Sequence, residues 1–162
     1  MAVPSRHAGL SEELAELIAS GVDMYVATRN AELLPESMLA LAGKIHGDGC
    51  AMTVFLPEVT SAATLANLRE NGQIAITISR PRDHKTVQVK GKATRIRPSD
   101  ESEKDLQAVL RASLVEGFAH IGIPRSTSRR LVWWPSVAVD VQVNDVFQQT
   151  PGPHAGEPLS RV

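Results

Sequence analysis

The chain has 162 residues, 43% of them hydrophobic and 22% charged, with a formal net charge of -1 and an isoelectric point of about 6.5. That length suits one domain with a proper core, and the near-neutral balance carries no global signal for nucleic acid or an acidic membrane surface. No apolar run approaches the roughly 20 residues of a membrane-spanning helix, the N-terminus lacks a signal-peptide core, and the single cysteine, Cys50, cannot form an internal disulfide. A cytoplasmic, single-domain protein is expected.

Residues 1–10 read as a loose arm. Ser11 can cap a short helix, with Glu12 and Glu13 in its first turn, Leu14, Leu17 and Ile18 as its apolar stripe, and Gly21 at its end. Residues 22–28 form a strand, and Leu33-Leu34-Pro35 turns the chain into a second strand over 37–46. Gly47-Asp48-Gly49 is a hairpin signal, from which residues 50–56 return antiparallel until Pro57. Thr60 or Ser61 offers an N-cap for a helix over 62–70, with Leu65 and Leu68 inward and Asn71-Gly72 closing it.

QIAITIS, residues 73–79, is a short β-prone strand, and Arg80-Pro81-Arg82-Asp83 turns it into the longest strand of the chain. There Thr86, Gln88, Lys90, Lys92 and Thr94 alternate with Val87, Val89, Gly91, Ala93 and Arg95. Gly91 sits where a side chain would otherwise stand, which predicts a bulge or bend in a coiling sheet. Ser99-Asp100 caps a long helix through about residue 118, whose Leu106, Val109, Leu110, Leu114 and Phe118 recur at helical spacing. A short helix begins at Pro124 and carries Arg125, Arg129 and Arg130; Trp133-Trp134-Pro135 closes it. Val137, Val139, Val141 and Val143 alternate with polar residues in the last strand, before a Gly/Pro-rich tail over 148–162. The pattern predicts a mainly β fold with accessory helices: a small, largely antiparallel barrel over 21–147, with an arm and short helix over 1–20.

This order of elements resembles the FMN-binding split-barrel superfamily, the group that includes pyridoxamine 5'-phosphate oxidase. The resemblance covers roughly residues 20–153 and is carried by the strands around GDG, by TLANLRENGQIAITIS, by KTVQVKGKA and by the ending VAVDVQVNDVFQQTPGP. It implies a Greek-key-like split β-barrel forming a homodimer, with two flavin sites in the interface. It also implies where the cofactor lies: Lys44 on the second strand, Thr60, Ser61 and Thr64 at the helix start, and Lys85, Thr86 and Gln88 on the long strand, with Trp134 against the ring. A phosphate is suited by helix N-terminal amides, hydroxyls and one or two cations. The oxidase itself carries an Arg-Lys pair in the first turn of that helix, where this sequence has Ala63-Thr64. The expectation is therefore an oxidase-related flavoprotein, an FMN-dependent oxidoreductase acting on a small molecule, and not the oxidase. The alternatives are a binder of flavin, deazaflavin or haem without turnover, and a split-barrel dimer that has lost its cofactor.

Each of these residues also has a plainer reading. Ser and Thr before a helix serve as caps, and Lys85, Thr86, Gln88 and Lys90 can form a solvated strand face. Trp133 and Trp134 can pack at an interface, and Arg125, Arg129 and Arg130 can be a solvated helix face. The histidines His7, His46, His84, His120 and His154 show no HxH or HxxxH spacing. No Ser-His-Asp order or carboxylate pair can be defined.

Overall fold

The computed structural model describes residues 6–47 and 49–161. Residues 1–5 of the expected arm and Asp48 of the GDG turn lie outside them. Helix α1 (Arg6–Ala19) leads into strands β1 (Asp23–Arg29), β2 (Pro35–Ala40), β3 (Ala42–His46) and β4 (Ala51–Pro57). A 3-10 turn and helix α2 (Ala62–Asn71) precede β5 (Gln73–Ser79) and the 13-residue β6 (Thr86–Pro98). Helices α3 (Glu101–His120) and α4 (Arg125–Ser128), β7 (Ser136–Gln148) and β8 (Pro158–Arg161) complete the chain. Ser11 thus falls inside α1, which starts at Arg6, and the tail contributes β8, paired with β7.

All pairings are antiparallel, in the order β2-β1-β5-β6-β7-β4-β3. The two ends of that order, β2 and β3, are separated in the chain only by Leu41. The single strand expected over 37–46 is therefore two, one paired with β1 and the other with β4, and the bend between them curls the sheet into a half-barrel. Leu41 is buried at the corner.

β1 and β5 alternate buried residues with half-buried or exposed ones, as strands with one inward face should. Met24, Val26, Ile76, Ile78, Val89, Val139 and Val141 fill the core. β4 is buried from Met52 to Pro57 because both of its faces are covered. One faces that core; α1 and α3 pack over the other side of this part of the sheet. Leu14, Leu17 and Ile18 of α1 and Leu110 and Leu114 of α3 are each at most 8% exposed, and full burial of such a side chain stabilises by about 1.5–3 kcal/mol.

The expected bulge is present. The β6–β7 register shifts between Lys90 and Gly91, and again between Ala93 and Arg95. At Gly91 the backbone of β7 comes so close that an added Cβ would stand 2.1 Å from the Gln142 carbonyl oxygen. α2 ends on Gly72 in the left-handed conformation, whose N–H donates to the Leu68 carbonyl at 3.0 Å. Its side chains Asn67 and Asn71 donate to Thr28 Oγ1 (3.0 Å) and the Arg29 carbonyl (2.7 Å), which ties the helix to the end of β1.

Candidate functional site

The start of α2 follows directly from the end of β4. The N-cap Ser61 makes no side-chain bond to the helix; its Oγ instead donates to the Glu58 carbonyl at 3.2 Å. The first-turn amides of α2 therefore have no side-chain cap. In the same turn, Thr64 is 1% exposed and its hydroxyl has no partner among the described residues. A buried hydroxyl left so costs about 1–3 kcal/mol unless something accepts or donates to it. Beside the helix start lies a cavity of about 430 Å³, lined by Thr60 and Pro57, by residues 36–39 of β2 and by residues 130–132 after α4. That volume falls in the range of small-molecule pockets, about 300–1,000 Å³. Arg130 is the one cation among its described lining residues.

A second concavity, of about 810 Å³, lies between α1, α3 and the face of β3, β4 and β7. Register builds its floor. Lys44 is paired with Thr53, and Thr53 with Asp140, so three strands present these side chains in one row. One step along, His46 pairs with Ala51 and Ala51 with Gln142. The Thr53 hydroxyl donates to Asp140 Oδ1 at 2.7 Å and lies 2.7 Å from His46 Nε2. A hydroxyl has one proton to give. With that proton on Asp140, His46 must donate through Nε2, which leaves Nδ1 of the neutral ring as its acceptor. At the rim, Arg97 binds both carboxylate oxygens of Glu103 at 2.7 and 2.5 Å. Hydrogen bonding to Arg97 holds the Glu103 carboxyl below its ordinary pKa.

No protein-family model and no curated protein matches the sequence. Solved structures do match the fold. HupZ of Group A Streptococcus superposes with a TM-score of 0.55 at 19% identity, over 90% of this chain and 98% of that one. A candidate pyridoxamine 5'-phosphate oxidase from Lactobacillus delbrueckii gives 0.53 at 16% identity, over 84% and 91%. An FMN-binding protein from Syntrophomonas wolfei gives 0.50 at 14%, over 94% and 90%. The fold is the split β-barrel of these structures.

Within this split barrel the residues singled out from the sequence fall into three places. Thr60, Ser61 and Thr64 stand together at the start of α2, and the neighbouring Glu58 N–H donates to the Pro135 carbonyl at 2.9 Å, which brings Trp134 to the same end of the sheet. Trp134 is half-buried, with the Lys104 ammonium 5.0 Å from its ring; the Arg111 guanidinium lies 5.9 Å from Trp133. Lys85, Thr86 and Gln88 lie at the opposite end of β7. There Gln149 N–H donates to the Thr86 carbonyl, while Pro57 pairs with Ser136 at the near end. The 13 residues of β7 separate the two groups, roughly 40 Å of extended chain. Thr86 is buried and donates through Oγ1 to the His84 carbonyl at 2.8 Å, and Gln88 Nε2 donates to Thr77 Oγ1 at 3.1 Å. Lys44 is in neither place; it lines the cleft under α1 and α3.

Sequence reasoning passed over Thr53 and Asp140, and placed Arg130 in a basic patch rather than at the cofactor site. Arg130 sits on a stretch that reads as a solvated face. Asp140 stands with Gln142 and Asn144 among the polar residues that alternate with the valines of β7, and nothing local says that helices cover that face.

Proposed function

We propose that this protein binds FMN at the start of α2 and is a flavin-dependent oxidoreductase acting on a small molecule. The observation that carries the reading is the first turn of α2. It joins uncapped amides to the partnerless, buried Thr64 hydroxyl, beside a cavity that Thr60 and Arg130 line. That donor set suits a phosphate, since the positive end of a helix and its free N–H groups favour an anion. In this reading Ser61, held back on Glu58, shapes the turn rather than touching the ligand, and Arg130 takes the part of the basic pair missing at Ala63-Thr64. Bound flavin would supply hydride or electron transfer; the chain positions the ring and screens it from water.

The cofactor site is completed in a homodimer. Lys85, Thr86 and Gln88 lie a strand's length from Thr60 in one protomer, so they can join that site only from the partner. The exposed Leu33, Leu34, Val59 and Val132 (52–72% exposed) are apolar surface suited to such an interface.

The test is an absorption spectrum after adding FMN and removing the excess, on the wild type and on Arg130→Ala. Retained flavin that falls about tenfold or more in the variant is expected, from loss of a charge-assisted phosphate contact. A colourless wild-type protein sinks FMN binding. Retention that Arg130→Ala leaves unchanged moves the phosphate elsewhere. Reduction of the retained flavin by NADH or NADPH separates the oxidoreductase from a binder without turnover.

A further inference from the structure

We infer that the cleft roofed by α1 and α3 is a second ligand site, which takes a small molecule with an apolar body and one anionic group. It shares no lining residue with the cavity at the start of α2. Its walls are apolar: Ile18 from α1, Leu106 and Leu110 from α3, and Phe55 of β4. The floor is polar and set in register, with Lys44 and His46 two residues apart on one strand. Ala51 stands between His46 and Gln142 as a single methyl group, which leaves room above the floor.

The charges select the ligand. Arg97 is matched by the bidentate Glu103. Asp140 accepts the Thr53 proton and also adds to the field that favours charged Arg97. Lys44, exposed at the mouth, makes no ion pair with a described residue. Two lining charges thus stand without an ion pair among the described residues, the Asp140 carboxylate held by Thr53 and the Lys44 ammonium at the mouth, and an anion on the ligand answers the second. The Asp140–Thr53–His46 chain fixes the imidazole with Nε2 as donor, so Nδ1 is the acceptor for an N–H or O–H beside that anion. The buried Thr53 hydroxyl ties the half-buried His46 ring to Asp140 and so holds one ring orientation, as second-sphere partners do for other working histidines.

The probe is 8-anilinonaphthalene-1-sulfonate, an apolar body with a sulfonate next to an N–H, compared with uncharged N-phenyl-1-naphthylamine. Both are titrated by fluorescence against the full-length protein. Lys44→Ala is expected to weaken the sulfonate dye roughly fivefold or more, the effect of one partly exposed ion pair, and to leave the neutral dye within about twofold. Ala19→Trp, on an exposed position of α1 at the cleft, is expected to abolish both while circular dichroism stays unchanged. Saturating FMN should displace neither. In methyl NMR, dye-induced shifts should gather on Ile18, Leu106 and Leu110. The proposal is overturned if neither dye binds, if Lys44→Ala weakens both dyes equally or neither, or if the shifts lie away from those methyls. Displacement by FMN would make the cleft the flavin site and would remove the claim that it is a second one.

Discussion

Asp23 and Glu103 show how the same functional group is handled in opposite ways. Asp23 opens β1, one of its oxygens is buried without a partner, and burial pushes its carboxyl above the ordinary value although Tyr25 hydrogen-bonds to it. A raised acid favours the fold when protonated, so stability falls as pH rises from the unfolded value, about 3.9, through the folded one. Asp23→Asn should therefore raise the melting temperature at pH 7, and the gain should vanish near pH 3. An unchanged difference across that range would mean the charge is not the cause. Glu103 is the reverse. Arg97 depresses its carboxyl, so its contribution is full above the ordinary value and is lost as pH falls through the lowered one. Urea unfolding of Glu103→Gln should show a deficit at pH 7 that shrinks toward pH 3; a deficit constant with pH would assign the loss to packing.

The elements explain why those side chains stand where they do. Glu103 is the third residue of α3 and closes a capping box with Asp100. The Glu103 N–H donates to Asp100 Oδ1 at 3.0 Å, and the Asp100 N–H donates to Glu103 Oε2 at 2.9 Å. One carboxylate thus caps the helix and clamps Arg97 of β6, which fixes α3 over the sheet and roofs the cleft. β6 bends at Gly91 because only a residue without Cβ tolerates the approach of β7 there. Gly91→Ala should cost about 1–3 kcal/mol or more, since the clash is with backbone that cannot swing away. Denaturant midpoints give the measure, and a loss below about 0.5 kcal/mol would mean that the two strands part easily.

At the scale of the molecule, the half-barrel keeps the two groups of candidate cofactor residues at opposite ends of β7, and a two-fold partner is what would reunite them. That arrangement predicts complementation. Neither Arg130→Ala nor the double variant Lys85→Ala with Thr86→Ala should retain FMN well alone. Refolding them together in equal amounts should restore about a quarter of the sites, because half of the random dimers carry one intact site each. No recovery would place both groups on the same protomer's site or remove one of them from it. Among the described residues, no helix is long and apolar enough to cross a membrane.

Much of this architecture is written locally. The alternation in β1, β5 and β6, the Asp100 cap, the close of α2 at Gly72 and the bulge at Gly91 all depend on neighbours a few residues away, so periodicity and turn chemistry determine them. The division of residues 37–46 into β2 and β3 is different: both halves are strand by pattern, and only the competition between β1 and β4 for partners splits them at Leu41. The same holds for the sites. Thr60, Ser61 and Thr64 are legible because a helix start is a local event. The row formed by Lys44, Thr53 and Asp140 joins three distant stretches through strand register, and Arg130 reaches its cavity through the fold of α3 and α4. Register and packing are set by the whole core at once, and a short window of sequence carries neither.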